Sequence, residues 1–547
     1  MPASNRRKQS IAPSGDPWWL TLVLVVLAAI GWWMSQPGMA GDWFGVSTLL
    51  WMVLLVRAAV ASTRIRWLML MVWCAFTATW LPVLGWVSDV SVAGWPPLAI
   101  YSALYPAIGA GAINWFWRRG VMPLSLIVAI IGTALGYVRA EILFDAWPFH
   151  LEGESLWGSP LVMLASVGGI WMCGMLLWSC AGLCVAFMFR KSWWREIMTP
   201  GILLMVAMWA WWFPLVHQTS DTLHVLGVQT NLPQSNKMGW SIEQQAKDVP
   251  SFLELTHSGL RQAPEVDLVV WPETMVPGFG FEEETLAWLE ERGPEGALWA
   301  RWPRDIAQAA INSGVPWLVG ASTWIDLSVQ YEGLEAAERY NSAVLLEPDG
   351  AMQRVDKVFL TPFGETMPYV RAWPWLEQKV LDLGAQGMQF DLDVGLAPSR
   401  ISVESPYGNW HLAVPICFED AVPSVVRGMV VVDGHTVADG IINISNDGWF
   451  GQADRGRAAH ARAAGFRAVE LGRPLVRVAN TGVSSLMRPD GRTTDSMAAR
   501  HASTMVFVLP RYEGTTWQAA FGNWLPRTCV VVWLVGGFWA LWRGRSL

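Results

Sequence analysis

The stretch AVPICFEDAVP, residues 413–423, decides how this chain is read. A β-favouring apolar run ends there on Cys417, and Glu419 stands two positions further on. Layered α/β domains build their sites at strand ends, so the position is a candidate for chemistry. The other five cysteines, Cys74, Cys173, Cys180, Cys184 and Cys529, all fall in long apolar runs. Location alone leaves two readings of Cys417 open. It is a small buried hydrophobe, as most free cysteines are, or a thiol kept unpaired because it has a use.

The composition around it is that of a membrane protein. Of the 547 residues 53% are hydrophobic and 38 are Trp, and the mean hydropathy is +0.30. A net charge of −7 gives no sign of a nucleic-acid partner. A span needs roughly 20 apolar residues. Seven candidate runs precede residue 218, at about 17–35, 43–60, 67–88, 95–117, 121–140, 160–188 and 198–216, and an eighth covers about 524–542 with Arg527 near its start. Tryptophans such as Trp18, Trp19, Trp32, Trp33, Trp193, Trp194, Trp211 and Trp212 mark the run ends, as an interfacial belt requires.

The short loops give the orientation. Arg6, Arg7, Lys8, Arg57, Arg64, Arg66, Arg118, Arg119, Arg190, Lys191, Arg195, Arg543 and Arg545 collect on one side, and only Arg139 falls on the other. By the positive-inside rule both termini are cytoplasmic and the long polar segment is exported. The expected organisation is a transmembrane bundle over 1–217, an exported domain over 218–512, and a closing linker, span and tail over 513–547. Cys417 is then the one cysteine of the exported domain.

Within that domain, 222–229, 266–271, 316–322, 341–347, 410–416, 439–446 and 474–479 read as short strands bounded by Gly, Pro, Asn or Asp. Helical patterns at 241–262, 302–313 and 456–472 alternate with them, which predicts an α/β layered domain. Residues 278–300 mix apolar and acidic side chains and read as a lid or as a surface helix.

Three segments place reactive side chains at or beyond strand ends: VVWPETMVPG with Glu273, RVDKVFLTPFGETMPY with Lys357 and Glu365, and the opening segment with Cys417. Their chemistry is mutually consistent. A thiol of pKa near ~8.5 needs a base or a cation to become nucleophilic. A poorly hydrated carboxylate can be that base, and a lysine beside both stabilises developing negative charge. Lysine is scarce here, with six against 32 arginines, so Lys357 suggests a need for a compact ammonium. Taken singly, Glu273 also reads as a helix cap and Lys357 as a surface cation.

Together, WPE, then K with a following PFGE, then C-x-E after a strand resemble the Glu–Lys–Cys pattern of the nitrilase superfamily. VQTNLPQSNKM (228–238), ISNDGWFG (444–451) and AVELGRPLVRVANTGVSSLMRPDGR (468–492) extend the likeness. Several spans before the domain and one after it resemble the apolipoprotein N-acyltransferases, the membrane-embedded branch of that superfamily. The chain departs from the pattern at Phe418, where a tyrosine is frequent, and in the basic, Ala-rich stretch 452–465.

The resemblance implies an α-helical bundle of about eight spans joined to an exported, nitrilase-like αββα sandwich in a bacterial inner membrane. It implies Glu273 as general base, Lys357 as charge stabiliser and Cys417 as nucleophile. Glu365 and Glu419 become supporting carboxylates that place the lysine and tune its charge, and Phe363, Phe418 and Trp449 become substrate contacts. The implied reaction moves an acyl chain from a membrane phospholipid, through a cysteine thioester, to the N-terminal amine of a diacylglyceryl apolipoprotein. No cofactor or metal is implied; the exported histidines lack ligand spacing with Cys417. A membrane-tethered amidase and an inactive lipid-binding scaffold stay open as alternatives.

Overall fold

The computed structural model describes residues 15–543 apart from 40–44, 91, 93, 121, 144–146, 190–192, 235–239, 331–332, 363, 367–372, 374, 376–391, 397–399 and 407. Phe363 and the cations Arg6, Arg7, Lys8, Arg190, Lys191 and Arg545 lie outside the described residues.

A helix occupies each of the eight apolar runs: Trp18–Met34, Val46–Ala61, Ile65–Val83, Trp95–Arg119, Leu124–Tyr137, Ala165–Met188, Trp193–Trp212 and Trp524–Arg543. Among the described residues four segments are long and apolar enough to cross a membrane, Ile65–Val83, Leu124–Ile142, Pro160–Met188 and Trp524–Trp542; Trp18–Met34 and Val46–Ala61 are apolar but shorter. The helices share one apolar core, and large side chains such as Ile202, Met205, Met208, Val531, Leu534 and Phe538 face outward. An apolar exterior of this extent suits lipid rather than water. Arg527 donates to the Tyr137 hydroxyl at 3.2 Å.

One helix is broken. Gly168 and Gly169 leave helical geometry, Gly169 with φ +69°. The freed amide of Ile170 donates to Glu470 of the α/β domain at 2.8 Å. The carboxylate thus caps the second half of the helix from outside it.

The α/β part holds two six-stranded sheets. The first comprises β1 (Val216–Gln229), β2 (Leu268–Val270), β3 (Trp317–Gln330), β4 (Gly333–Leu346), β5 (Met352–Asp356) and β14 (Ser503–Gly514), in the order β14-β1-β2-β3-β4-β5. The second comprises β6 (Arg400–Ser405), β7 (Gly408–Ala413), β10 (Gly440–Ser445), β11 (Leu475–Ala479), β12 (Ser485–Met487) and β13 (Thr493–Ser496), in the order β13-β12-β11-β10-β7-β6. A small hairpin, β8 (Val431–Val432) and β9 (His435–Thr436), lies apart. The strands at the centre of each sheet, β1-β2-β3 and β7-β10-β11, run parallel.

The sheets pack face to face. Val225, Val270, Leu318 and Leu345 of the first meet Ile401, Leu412, Ile442 and Val476 of the second in one core. Helices Ile242–Gln262 and Pro294–Ser313 cover the outer face of the first sheet through Val249, Phe252, Trp302 and Ile306. Helices Pro423–Val430 and Asp454–Leu471 cover the second. The result is a four-layer αββα arrangement. Each of the seven strands expected from sequence has a counterpart. The helix expected at 302–313 begins earlier, with Pro294 in its first turn, where a missing N–H is harmless.

The segment 278–300 folds mostly as helix. Glu283–Glu290 buries Leu286 and Leu289 against Ala300 and Leu327, while Glu283 pairs with Arg304 on its outer side. The Ala-rich stretch 452–465 also finds its reason. The helix Asp454–Leu471 is buried nearly all round, with Ala464 and Ala468 against the second sheet and Phe466 and Val469 in the core of the bundle. Small residues let it sit between two layers.

Candidate active site

Glu273 lies three residues beyond β2, and Lys357 directly follows β5. Because β4 runs antiparallel to both β3 and β5, the ends of β2 and β5 lie close to Asn341 of β4, which pairs with Ser322 midway along β3. Gly320 of β3 makes room for the Glu273 turn: a Cβ there would lie 2.5 Å from both the Pro272 carbonyl oxygen and the Thr274 nitrogen. From the second sheet, Ile416 bridges Ile444 beyond the end of β7, and Cys417 opens a tight turn through Ala421. Thr274 and Cys417 both have φ +51°, a costly conformation for residues with a side chain. The strand therefore stops at Ala413 rather than at Cys417, and the cysteine sits on a strained turn.

The ammonium of Lys357 is buried among oxygens. It lies 2.6 Å from Glu365 Oε2, 3.7 Å from Glu273 Oε1 and 3.3 Å from Thr361 Oγ1. Asn341 Nδ2 donates to Glu273 Oε1 at 2.7 Å and to Glu365 Oε1 at 3.1 Å, binding the two carboxylates together. The Asn446 amide donates to Glu273 Oε2 at 2.8 Å and ties the second sheet to the first. Burial alone would lower the Lys357 pKa, but Glu365 and Glu273 outweigh it and hold it above the usual lysine range. Burial likewise opposes the ionised form of Glu365, and Lys357 pulls its pKa below the usual carboxylate value. Burial and then the charge of Glu273 push the Cys417 thiol well above the usual thiol range, with Lys357 acting in the opposite sense.

Glu419 is held by backbone amides and lies within reach of the Lys357 charge. Its Oε1 accepts from the amides of Val358 and Phe359 at 2.7 and 2.8 Å, and its Oε2 from the amide of Ile416 at 2.7 Å. It joins the backbone beyond Lys357 to the backbone before Cys417. Burial pushes its pKa up to about 7 against those three amides. Phe418 is buried against Phe149 and Phe359, with ring centroids 5.5 and 6.2 Å away, and so connects the cysteine turn to the bundle. Trp449 lies half-buried in the short turn Asp447–Phe450.

Sequence reasoning missed Asn341, Asn446 and a group of four buried charges, Asp420, Asp447, His460 and Arg477. Asn341 sat inside a run read only as a strand. The four charges come from four separate segments, and no spacing in the chain announces them.

The carbon-nitrogen hydrolase family model matches residues 231–508, which is half of the chain and includes Glu273, Lys357 and Cys417. The chain belongs to the carbon-nitrogen hydrolase family. The likeness to individual proteins runs further than that domain. An apolipoprotein N-acyltransferase from Azotobacter vinelandii is 29% identical over 476 residues, covering 84% of this chain and 82% of that one. Proteins of the same name from Shewanella oneidensis and Geobacter metallireducens are 27% and 26% identical, and cover 79% and 84% of this chain and 77% and 81% of their own. Matches of this extent include helices of the bundle as well as the αββα domain.

Proposed function

We propose that this protein is a phospholipid:apolipoprotein N-acyltransferase of a bacterial inner membrane, with Glu273, Lys357 and Cys417 as its catalytic group. The observation that carries this reading is that relatives of that name match across the bundle and the hydrolase-like domain together. The eight apolar helices act as spans, both termini are cytoplasmic, and the domain at 218–512 faces the periplasm. The thirteen-to-one distribution of loop cations supports that orientation. Residues 1–217 form the bundle, and residues 513–547 the linker, last span and tail.

In the first half-reaction Cys417 attacks an ester carbonyl of a phospholipid. The burial and charge that hold its proton in the resting site favour removal of that proton as the S–C bond forms rather than before it. Glu273 takes the proton and returns it to the departing oxygen as the ester C–O bond breaks and a lysophospholipid leaves. Lys357, held cationic by two carboxylates, stabilises the oxyanion. In the second half-reaction the free amine of a diacylglyceryl-cysteine attacks the thioester. A C–N bond forms, the C–S bond breaks, and the thiol regains its proton through Glu273. Glu365 places the lysine, Glu419 fixes the two loops that carry lysine and cysteine, and Phe418, Phe363 and Trp449 contact the lipid.

The test uses purified wild type and Cys417→Ala with a phospholipid labelled in its sn-1 acyl chain. The expected result is a hydroxylamine-labile adduct, seen by intact mass, on wild type only and discharged by a diacylglyceryl peptide with a free amine. An adduct discharged only by water would replace this reading with a hydrolase. No adduct on a folded wild type would remove the mechanism.

A further inference from the structure

Beneath Cys417 lie four charged side chains, Asp420, Asp447, His460 and Arg477, each almost wholly buried. Asp420 belongs to the same turn as the cysteine, Asp447 to the turn after β10, His460 to the helix Asp454–Leu471, and Arg477 to β11. Arg477 grips Asp447 with two nitrogens, Nη2 to Oδ1 at 2.8 Å and Nη1 to Oδ2 at 3.0 Å, and reaches Asp420 Oδ2 with Nε at 3.4 Å. His460 spans the same two carboxylates, Nε2 to Asp420 Oδ1 at 2.8 Å and Nδ1 to Asp447 Oδ1 at 3.1 Å. Arg477 Nη2 also lies 3.0 Å from that Nδ1.

With His460 protonated the group holds two positive and two negative charges. Unbalanced charge in such a place is costly, whereas a neutral, fully hydrogen-bonded group is tolerated and rigid. The group is joined to the cysteine through Asp420, three residues on in the same turn, and the Asp447 charge acts against ionisation of the Cys417 thiol. The other charges facing Cys417 are Glu273, Lys357 and Glu365, and Arg457 adds a further cation beside Asp447.

We propose that Asp420, Asp447, His460 and Arg477 form a charge-balanced platform that positions the Cys417 turn and, by being neutral as a group, leaves ionisation of the thiol to Glu273 and Lys357. The four are positioning residues. The inference rests on Cys417 being the nucleophile of the acyl transfer.

The test is the rate of Cys417 alkylation by iodoacetamide at pH 7.5, below the His460 pKa of about 9, in the full-length protein, followed at the Cys417 peptide by mass spectrometry. At this fixed pH the rate reports the thiol pKa, one unit being about tenfold. Asp420→Asn leaves the group one charge positive and lowers the thiol pKa. His460→Gln leaves it one charge negative and raises it. Each shift is expected to be on the order of one unit. The double variant D420N/H460Q is neutral again and returns the pKa to that of wild type. A group that only holds the fold would lower thermal stability in both single variants without moving the pKa in opposite senses. Shifts of the same sign, no shift in either variant, or no return in the double variant overturns the proposal. If a single variant does not fold, the double variant decides: folded with the wild-type pKa it supports the platform, and unfolded or shifted it refutes it. Alkylation needs neither acyl donor nor acceptor, so this inference and the acyl-transfer reading fail separately.

Discussion

Lys357 carries the sharpest consequence of a single side chain. Its ammonium lies between two carboxylates, 2.6 Å from Glu365 and 3.7 Å from Glu273. Lys357→Met leaves both carboxylates without their cation, and breaking a buried pair in this way costs ~3–5 kcal/mol. Thermal unfolding should therefore fall markedly at pH 7 and recover in part at pH 5, where the stranded carboxylates take up protons. Thioester formation should drop by ~100-fold or more, since a charge aimed at the oxyanion is lost. Lys357→Arg should not restore it, because a planar fork does not fit a pocket closed around a compact ammonium. Wild-type stability in Lys357→Met would mean that Glu365 and Glu273 already share a proton.

At the scale of elements, the parts that hold the site are junctions between segments. Glu419 ties the loop after β5 to the end of β7, and Asn446 ties the second sheet to Glu273. Glu470 does the same between domain and bundle, for it caps the broken helix at Ile170 and pairs with Arg467 at 2.9 Å. Arg467 Nε and Nη1 are buried with no hydrogen-bond partner among the described residues, so the guanidinium leans on its ion pair with Glu470, with Glu141 a second carboxyl near it. Glu470→Ala should cost about 3–5 kcal/mol, the range for a buried cation left alone. Hydrogen exchange should show the amides of 168–172 opening first; uniform exchange along that helix would argue against the cap. The elements that sequence did not supply are instructive. Of β5, β6, β12, β13 and β14, all but β12 are sheet edges. β5 and β13 are short and polar and lack the apolar run that marks a central strand, whereas β14 does carry one, Met505–Leu509, ahead of Pro510 and Arg511.

At the scale of the molecule, the α/β domain and the bundle share an interface rather than a tether. Phe466 and Val469 of the helix Asp454–Leu471 lie in the core of the bundle, and Phe149 from the bundle's loop packs on Phe418 and His460. Residues 218–512 made alone should expose that apolar face, and should aggregate or melt well below the full-length protein in light scattering and thermal scans. A monodisperse domain of equal stability would contradict the shared core. The pH response also belongs to this scale. Burial lowers the pKa of His460, but Asp420 and Asp447 raise it to about 9 from an ordinary 6.5. A histidine raised on folding contributes stability that is full below pH 6.5 and is lost as pH rises through about 9. Alkaline unfolding between pH 7 and 9.5 should therefore be shallower in His460→Gln than in wild type, and equal slopes would show that His460 is neutral.

The sequence by itself determined the partition into apolar helices and an α/β domain, because long charge-free runs and alternating strand and helix patterns are local properties of the chain. It also brought Glu273, Lys357 and Cys417 forward, since each stands beside a strand end within a recognisable motif. Only the tertiary structure decided what surrounds them. Asn341 meets Glu273 across 68 positions, Asp420 meets His460 across 40, and Ile170 meets Glu470 across 300. Partners so far apart leave no period in the sequence. They are set by which strand ends the two stacked sheets bring together, and by the need of every buried charge for a counterpart once water is gone.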